Sequence, residues 1–123
     1  HQDVRAFFQG ADVFIFPSIE ETFGIPLIEA MEFGVPIAAS DCDLDRACLG
    51  KCFNPFREIC GTAAEYFNPF EVNDIAECIQ RLLGDLALRA QLIAHGKVRV
   101  KDYDLEHTAR ALILLFDTIG SSH

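Results

Sequence analysis

Basic residues are scarce in this sequence. Ten lysines and arginines stand against nineteen aspartates and glutamates, for a formal net charge of −9 over 123 residues. Nucleic acid and anionic membrane both call for a basic face, so neither is expected to be a partner of this segment. Long apolar runs are missing as well. No stretch approaches the ~20 residues that cross a bilayer. No signal-peptide pattern stands at the start, although a segment that begins mid-chain would not show one. There are no repeats and no low-complexity tracts. The sequence lacks G-x-G-x-x-G, a Walker lysine and a G-x-S-x-G elbow, so nicotinamide, P-loop and serine-hydrolase sites are not indicated. Asp41, Asp43 and Asp45 alternate, but the glycine and distal Glu of an EF-hand loop are not in their places.

Paired cysteine knuckles are absent too. Cys42, Cys48, Cys52 and Cys60 are separated by six, four and eight residues, with no C-x2-C. Four thiolates could close a tetrahedron around zinc, but without a knuckle the expected state is free thiols packed under a loop.

What remains is an ordinary globular balance, with 50% hydrophobic and 24% charged residues. Its organising stretch is Phe16 to Pro36. An apolar run, Val13 to Phe16, reads as a strand covered on both faces. Pro17 and Ser18 end it, and a loop carries Glu20, Glu21, Thr22, Phe23 and Gly24. Ile25 to Phe33 then reads as a short helix. Pro26 suits the first turn, where a missing N–H costs nothing. Gly34 suits the left-handed position beyond the end, and Pro36 forbids continuation. The next strand runs from Pro36 to Ala39 and ends at Ser40-Asp41. Strand, loop, helix and strand in this order make the unit of a parallel α/β sheet.

The loop has a chemical logic. The first amides of a helix have no internal partner, and the dipole makes that end electropositive. Gly24 lets a ligand approach the backbone. Such an end can hold phosphate. Glu21 before the helix and Glu29 within it accept hydrogen bonds only, which suits the hydroxyls of a sugar or ribose. Glu20 and Glu32 read as solvated charges.

Further elements follow in order. Val4, Phe7 and Phe8 share one side of a helix over residues 1 to 9. Asn54-Pro55 opens a short helix through Cys60, and Ala64 to Phe67 reads as the third strand. Asn73 or Asp74 caps a helix to Leu83, with Ile75, Ile79, Leu82 and Leu83 as its stripe. Leu86 to about Val100 forms another, burying Leu88, Leu92 and Ile93. Asp104 caps a last one with Ala109, Leu112, Ile113, Leu115, Phe116 and Ile119. His95 and His107 have no carboxylate or cysteine at ligand spacing and read as structural.

The setting Phe-Pro-Ser-x-x-Glu-x-Phe-Gly-x-Pro-x-x-Glu-Ala-Met-x-x-Gly-x-Pro, with Glu21 and Glu29 separated by seven residues, resembles the E-x7-E signature of glycosyltransferase family 4. The resemblance extends over Ala11 to Phe16 and Ile37 to Asp41, and resumes over Arg57 to Gly61 and Ala64 to Pro69. It is interrupted at Cys42 to Phe56, where relatives cross in a few residues and this chain takes roughly ten more, a length that signals function or disorder in a loop. That insertion, residues 41–56, would lie on the ligand side of the sheet.

The resemblance implies a retaining enzyme with two Rossmann-like domains (the GT-B fold) and a nucleotide-sugar donor. The fold class expected here is therefore α/β: an incomplete Rossmann-like domain of about three parallel strands with flanking helices and a C-terminal helical segment over 72–120. Residues 1–123 would be the C-terminal portion of the donor-binding domain, with an N-terminal acceptor domain lying outside them. By the same resemblance, Glu21 faces the sugar hydroxyls and the reacting centre, and Glu29 holds the donor ribose. The amides of Phe23, Gly24 and Ile25 complete the sugar contacts, and those of Leu27 and Ile28 approach the phosphates. No cofactor and no fixed metal are implied, the nucleoside diphosphate sugar being a co-substrate. An exposed last helix would invite self-association. The expected location is cytoplasmic, compatible with a peripheral place at a membrane through the other half. A non-catalytic GT-B-like scaffold or interaction domain is the alternative. The upstream Arg and Lys that the family sets on the donor diphosphate separate the two readings, since an enzyme needs them and a scaffold does not. No position here can take that role, so this 123-residue chain by itself is expected to turn over no sugar nucleotide. A coupled assay for nucleoside diphosphate release checks this, and any turnover would contradict it.

Overall fold

The computed structural model of the chain describes residues 2–19, 24–45 and 55–103. Three strands, β1 (Phe14–Phe16), β2 (Ile37–Ser40) and β3 (Ala64–Phe67), form one parallel sheet in the order β1-β2-β3. Phe14 pairs with Ile37, and Ile37 in turn with Ala64, so the three strands run in register. Among the described residues five α-helices accompany them: α1 (Gln2–Gln9), α2 (Ile25–Glu32), α3 (Phe56–Cys60), α4 (Val72–Gly84) and α5 (Leu86–Arg99). The expected α/β class is therefore the observed one.

Alternation along β2 divides the interior into two cores. Ile37 and Ala39 point to one face, where Leu27, Ile28, Met31, Phe56, Ile59, Cys60 and Ala64 meet them. Ala38 points to the other, with Phe67, Cys78, Leu82 and Leu92. Small residues at 38 and 39 allow helices to approach the central strand from both sides. A period of two in a strand buried on both faces requires this division.

β1 departs from expectation. It was expected to be covered on both faces, yet Ile15 is 37% exposed. The reason lies in the second core, where α4 packs on β2 and β3 and leaves the outer strand uncovered. Phe7 is likewise 64% exposed. In α1 the inward position belongs to Phe8, whose ring stacks on Phe33 at 5.6 Å and meets Phe14 edge-on at 5.3 Å. Phe7 lies about 100° away around the helix, its ring set T-shaped to that of Phe8 at 5.4 Å.

Helix α2 ends as the Gly-Val-Pro punctuation requires. Val35 N–H bonds to Ala30 O at 2.9 Å and Gly34 N–H to Met31 O at 3.3 Å, with Gly34 at φ 72°. This is the Schellman arrangement, which satisfies the last carbonyls. In α4 the expected cap is corrected. Glu71 precedes the helix without a side-chain cap, and the Asp74 carboxylate accepts from Asn68 N–H at 2.6 Å, joining the helix to the end of β3. The buried stripe of α4 is Cys78 and Leu82, with Ile75 half-buried, whereas Leu83 is exposed. Asp85 does cap α5, its carboxylate accepting from Leu88 N–H at 2.9 Å. The helix expected after Asp104, and His107 in it, lie outside the described residues. Among the described residues no helix is long and apolar enough to cross a membrane.

The end of α5 closes the first core. Gly96 packs on α2, where an added Cβ would stand 3.3 Å from Met31 Cγ. Lys97 Nζ donates to Glu32 O at 2.8 Å. Arg99 Nε donates to Ile59 O at 3.0 Å, and its Nη2 donates to Glu58 O. Tyr103 Oη reaches Ile59 O at 3.2 Å, and His95 Nδ1 lies 3.1 Å from Thr62 O. Cations at helix C-termini neutralise carbonyls that have no partner within the helix. Replacing Arg99 by Met keeps much of the aliphatic packing and removes the donors. The expected result is a loss of about 1–2 kcal/mol, read as a lower urea midpoint at unchanged slope.

Candidate functional site

Parallel strands bring every C-terminal end to one edge of the sheet, where ligands of open α/β sheets bind. At that edge β1 leads to Ser18 and Ile19, β2 to Asp41 and Cys42, and β3 to Asn68. Helix α2 starts from the same edge. Its first residue follows Gly24, which sits at φ 63° and ψ 33° in the left-handed region. A Cβ there would come within 2.7 Å of Ile59 Cδ1 and 3.8 Å of Phe56 Cδ1. Gly24 is thus fixed for two separate reasons, its backbone conformation and its seat against α3.

The donors of the first turn are partly committed. Leu27 N–H and Ile28 N–H both point to Gly24 O, at 3.0 and 3.4 Å. Pro26 has none. Ile25 N–H has no backbone acceptor among the described residues. Leu27 and Ile28 bury their side chains in the first core, so only their backbone can serve a ligand. A phosphate oxygen at these two amides would share the proton with Gly24 O in the three-centre bonding common at helix termini.

Glu29 lies one turn beyond Ile25 on the same side of α2, half-buried between core residues. Burial raises its pKa, and the neighbouring Glu32 charge adds to the rise. Glu32 itself is exposed. The structure therefore brings Gly24, Ile25 and Glu29 together on one side of the helix start. Glu21 and Phe23 lie outside the described residues.

A polar network at the same edge received no role in the sequence analysis. Asp41 is only 4% exposed. Its carboxylate takes a charge-assisted bond from Arg57 Nε and accepts from Asp43 N–H at 3.0 Å, while its own N–H donates to Phe67 O at 2.8 Å. The Arg57 guanidinium lies 4.3 Å from the centre of the Tyr66 ring, and Tyr66 Oη donates to Gly61 O at 2.6 Å. Burial, before any neighbouring charge, pushes the Tyr66 phenol upward, so it stays a donor throughout the physiological range. Ser40, fully buried, donates from Oγ to Ser18 O. The signal was present in the sequence: two polar residues close an apolar strand, and an Arg-Glu pair opens the following helix. Of the four cysteines weighed for zinc, Cys42 and Cys60 are buried, and Cys48 and Cys52 lie outside the described residues. Among the described residues no cluster of His, Cys, Asp and Glu could hold a metal.

Fold and edge together define a parallel α/β domain of the Rossmann-like kind. The comparison with known proteins is specific: residues 1–99 match glycosyl transferases group 1, and the chain belongs to that family. It is 31% identical over 111 residues to the serotype-specific mannosyltransferase WbdA of Escherichia coli, covering 90% of this chain and 12% of that protein. It is 30% identical over 115 residues to the phosphatidyl-myo-inositol mannosyltransferase of Mycobacterium leprae, covering 93% of this chain and 28% of that protein. Sucrose-phosphate synthase from Thermosynechococcus elongatus superposes with a TM-score of 0.72 at 25% identity, over the whole of this chain and 29% of its own. The architecture is thus that of a GT-B glycosyltransferase, and the chain spans about an eighth to under a third of the length of these relatives.

The raised pKa of Glu29 has a measurable sign. A carboxyl raised in the folded state contributes stability below its unfolded value near 4.5 and loses that contribution as pH rises through the folded value. Glu29→Gln removes this titration. The melting temperature of Glu29→Gln relative to the parent should rise as pH increases from 4 to 7, as followed by circular dichroism. A variant that lost stability on going to pH 7 would contradict the assignment.

Proposed function

We propose that the intact protein containing this chain is a retaining hexosyltransferase, moving a sugar from a nucleoside diphosphate donor to a hydroxyl acceptor. The chain is the C-terminal portion of its donor-binding domain, and the acceptor is held by a domain outside it. The observation that carries this reading is the start of α2, where a left-handed Gly24 and a half-buried Glu29 with a raised pKa sit at the ligand edge of a parallel sheet. Burial of a carboxylate costs stability, and such a cost is commonly borne at binding sites.

In this reading the bond between the sugar's anomeric carbon and the diphosphate oxygen breaks, and the acceptor hydroxyl attacks from the same side, passing its proton to the departing diphosphate oxygen. Positive charge develops on the sugar ring and negative charge on the diphosphate. The protein's task is to place groups that complement both. Glu21 positions the sugar and stabilises the developing positive charge. Glu29 accepts hydrogen bonds from the ribose hydroxyls. The amides of Phe23, Gly24 and Ile25 face the sugar, and those of Leu27 and Ile28 face the phosphates at the positive end of the helix dipole. No metal or cofactor of the protein's own is invoked. The mannosyltransferase relatives favour mannose as the hexose. A net charge of −9 argues against nucleic acid and anionic lipid as partners of this segment.

Ligand-observed NMR tests the reading, with UDP, GDP and ADP and their hexose conjugates added both to the chain and to the longer protein. Binding of one nucleotide, lost in Glu29→Ala, is the expected outcome. Binding that survives Glu29→Ala would remove Glu29 from the site. Failure of the longer protein to bind any of them at millimolar concentration would favour a scaffold.

A further inference from the structure

The end of β2 grips the chain on its way to Glu21. Ser40 Oγ donates to Ser18 O, and Cys42 Sγ lies 3.9 Å from Ile19 O. Both acceptors are backbone carbonyls of the segment that leaves β1, and they stand three and two residues ahead of Glu21 in the sequence. Asp41, between the two donors, turns the other way. Its N–H is held by Phe67 O of β3, and its carboxylate by Arg57 of α3 and Asp43 N–H. Residues 40 to 42 are therefore fixed from one side by β3 and α3 and hold the β1 exit from the other. Beyond Glu21, Gly24 is seated against Phe56 and Ile59 of the same α3.

We propose that Ser40 is a positioning residue for the transfer reaction: its hydroxyl, by holding Ser18 O, sets where the chain departs toward Glu21. This rests on the reading of Glu21 as the group that serves the reacting centre. A buried hydroxyl suits the task better than a charge. It is small enough to sit beneath the sheet edge, it donates along one direction, and its carbonyl acceptor belongs to the backbone and so moves the chain itself. Cys42 is the weaker second hold, since a thiol is a poor donor. Catalysis is sensitive to such placement, because displacing a reacting group by about 1 Å can cost on the order of 100-fold in rate.

A double-mutant cycle in the intact protein tests this. Ser40→Ala and Glu21→Gln are made singly and together, and kcat and KM are measured for transfer from the sugar nucleotide that the panel selects. Ser40→Ala alone should lower kcat by about tenfold, within the range that misplacement produces. Donor KM should change little, because Glu29 and the helix start are untouched. In the Glu21→Gln background the same substitution should cost less than about twofold, because groups that act as one unit are non-additive. Ser40→Thr keeps the hydroxyl and should recover most of the rate. Losses that simply multiply would overturn the proposal, as would a loss confined to KM. A Glu21→Gln enzyme of undiminished rate, or no turnover of any donor by the parent, would instead overturn the reading on which it rests. If Ser40→Ala does not fold, Cys42→Ala runs the same cycle with a smaller expected loss, and multiplicative losses there overturn the proposal equally.

Discussion

Parallel pairing on both sides of β2 is the constraint from which the other features follow. A strand with neighbours on both edges and helices on both faces has no polar environment to offer its side chains, and Ile37, Ala38 and Ala39 supply none. Along β2 the polar residues therefore come only at its C-terminal end, at Ser40 and Asp41. Each strand's exit must then be stitched to its neighbours, since a backbone turning at the edge of a buried sheet carries groups that need partners. Ser40, Asp41, Asn68 and Asp74 do this stitching. The ligand edge is thus polar through the same geometry that keeps the interior apolar.

At the other end of the helices the same accounting recurs with different chemistry. Helices α2 and α3 end near α5, and their terminal carbonyls receive Lys97, Arg99 and Tyr103. The close approach at Gly96 makes this geometry possible, since a larger residue would push α5 off Met31 and carry those donors away. α5 also contributes Leu92 to the second core. One helix therefore joins both cores, and helix α2 is braced from behind by the last two turns of α5.

Much of the architecture was legible. Strand β3 appeared with its expected bounds, and α2 began and ended where Pro26 and Gly34 announced it, because proline and glycine act locally. What could not be read depended on distant partners. An all-apolar β1 does not tell whether helices cover both its faces. Adjacent phenylalanines at 7 and 8 do not say which faces inward, and Cys78 stood where a stripe of larger aliphatics was expected. Asp74 carried a capping signal, but Asn68 lies six residues upstream and offered a better use for it. Gly24 and Glu29 were singled out through their spacing in one motif. The Asp41, Arg57 and Tyr66 network left only a trace, polar residues closing an apolar strand and an Arg-Glu pair in the next helix, because its contacts join residues 16 and nine positions apart.

Each core contains one deeply set thiol. Burial pushes Cys60 up to about 12, against a smaller lowering by Arg99, and Cys78 to about 11. In the closed molecule neither sulfur ionises to a useful extent at neutral pH, so neither meets an alkylating reagent as a thiolate. Modification must wait for an opening that returns the thiol to water, and its rate measures the free energy of that opening. Cys60 keeps time for the layer that holds α2 and α3, and Cys78 for the layer beneath α4. The two cysteines are thus a pair of internal clocks, able to tell whether the halves on either side of the sheet breathe together or apart.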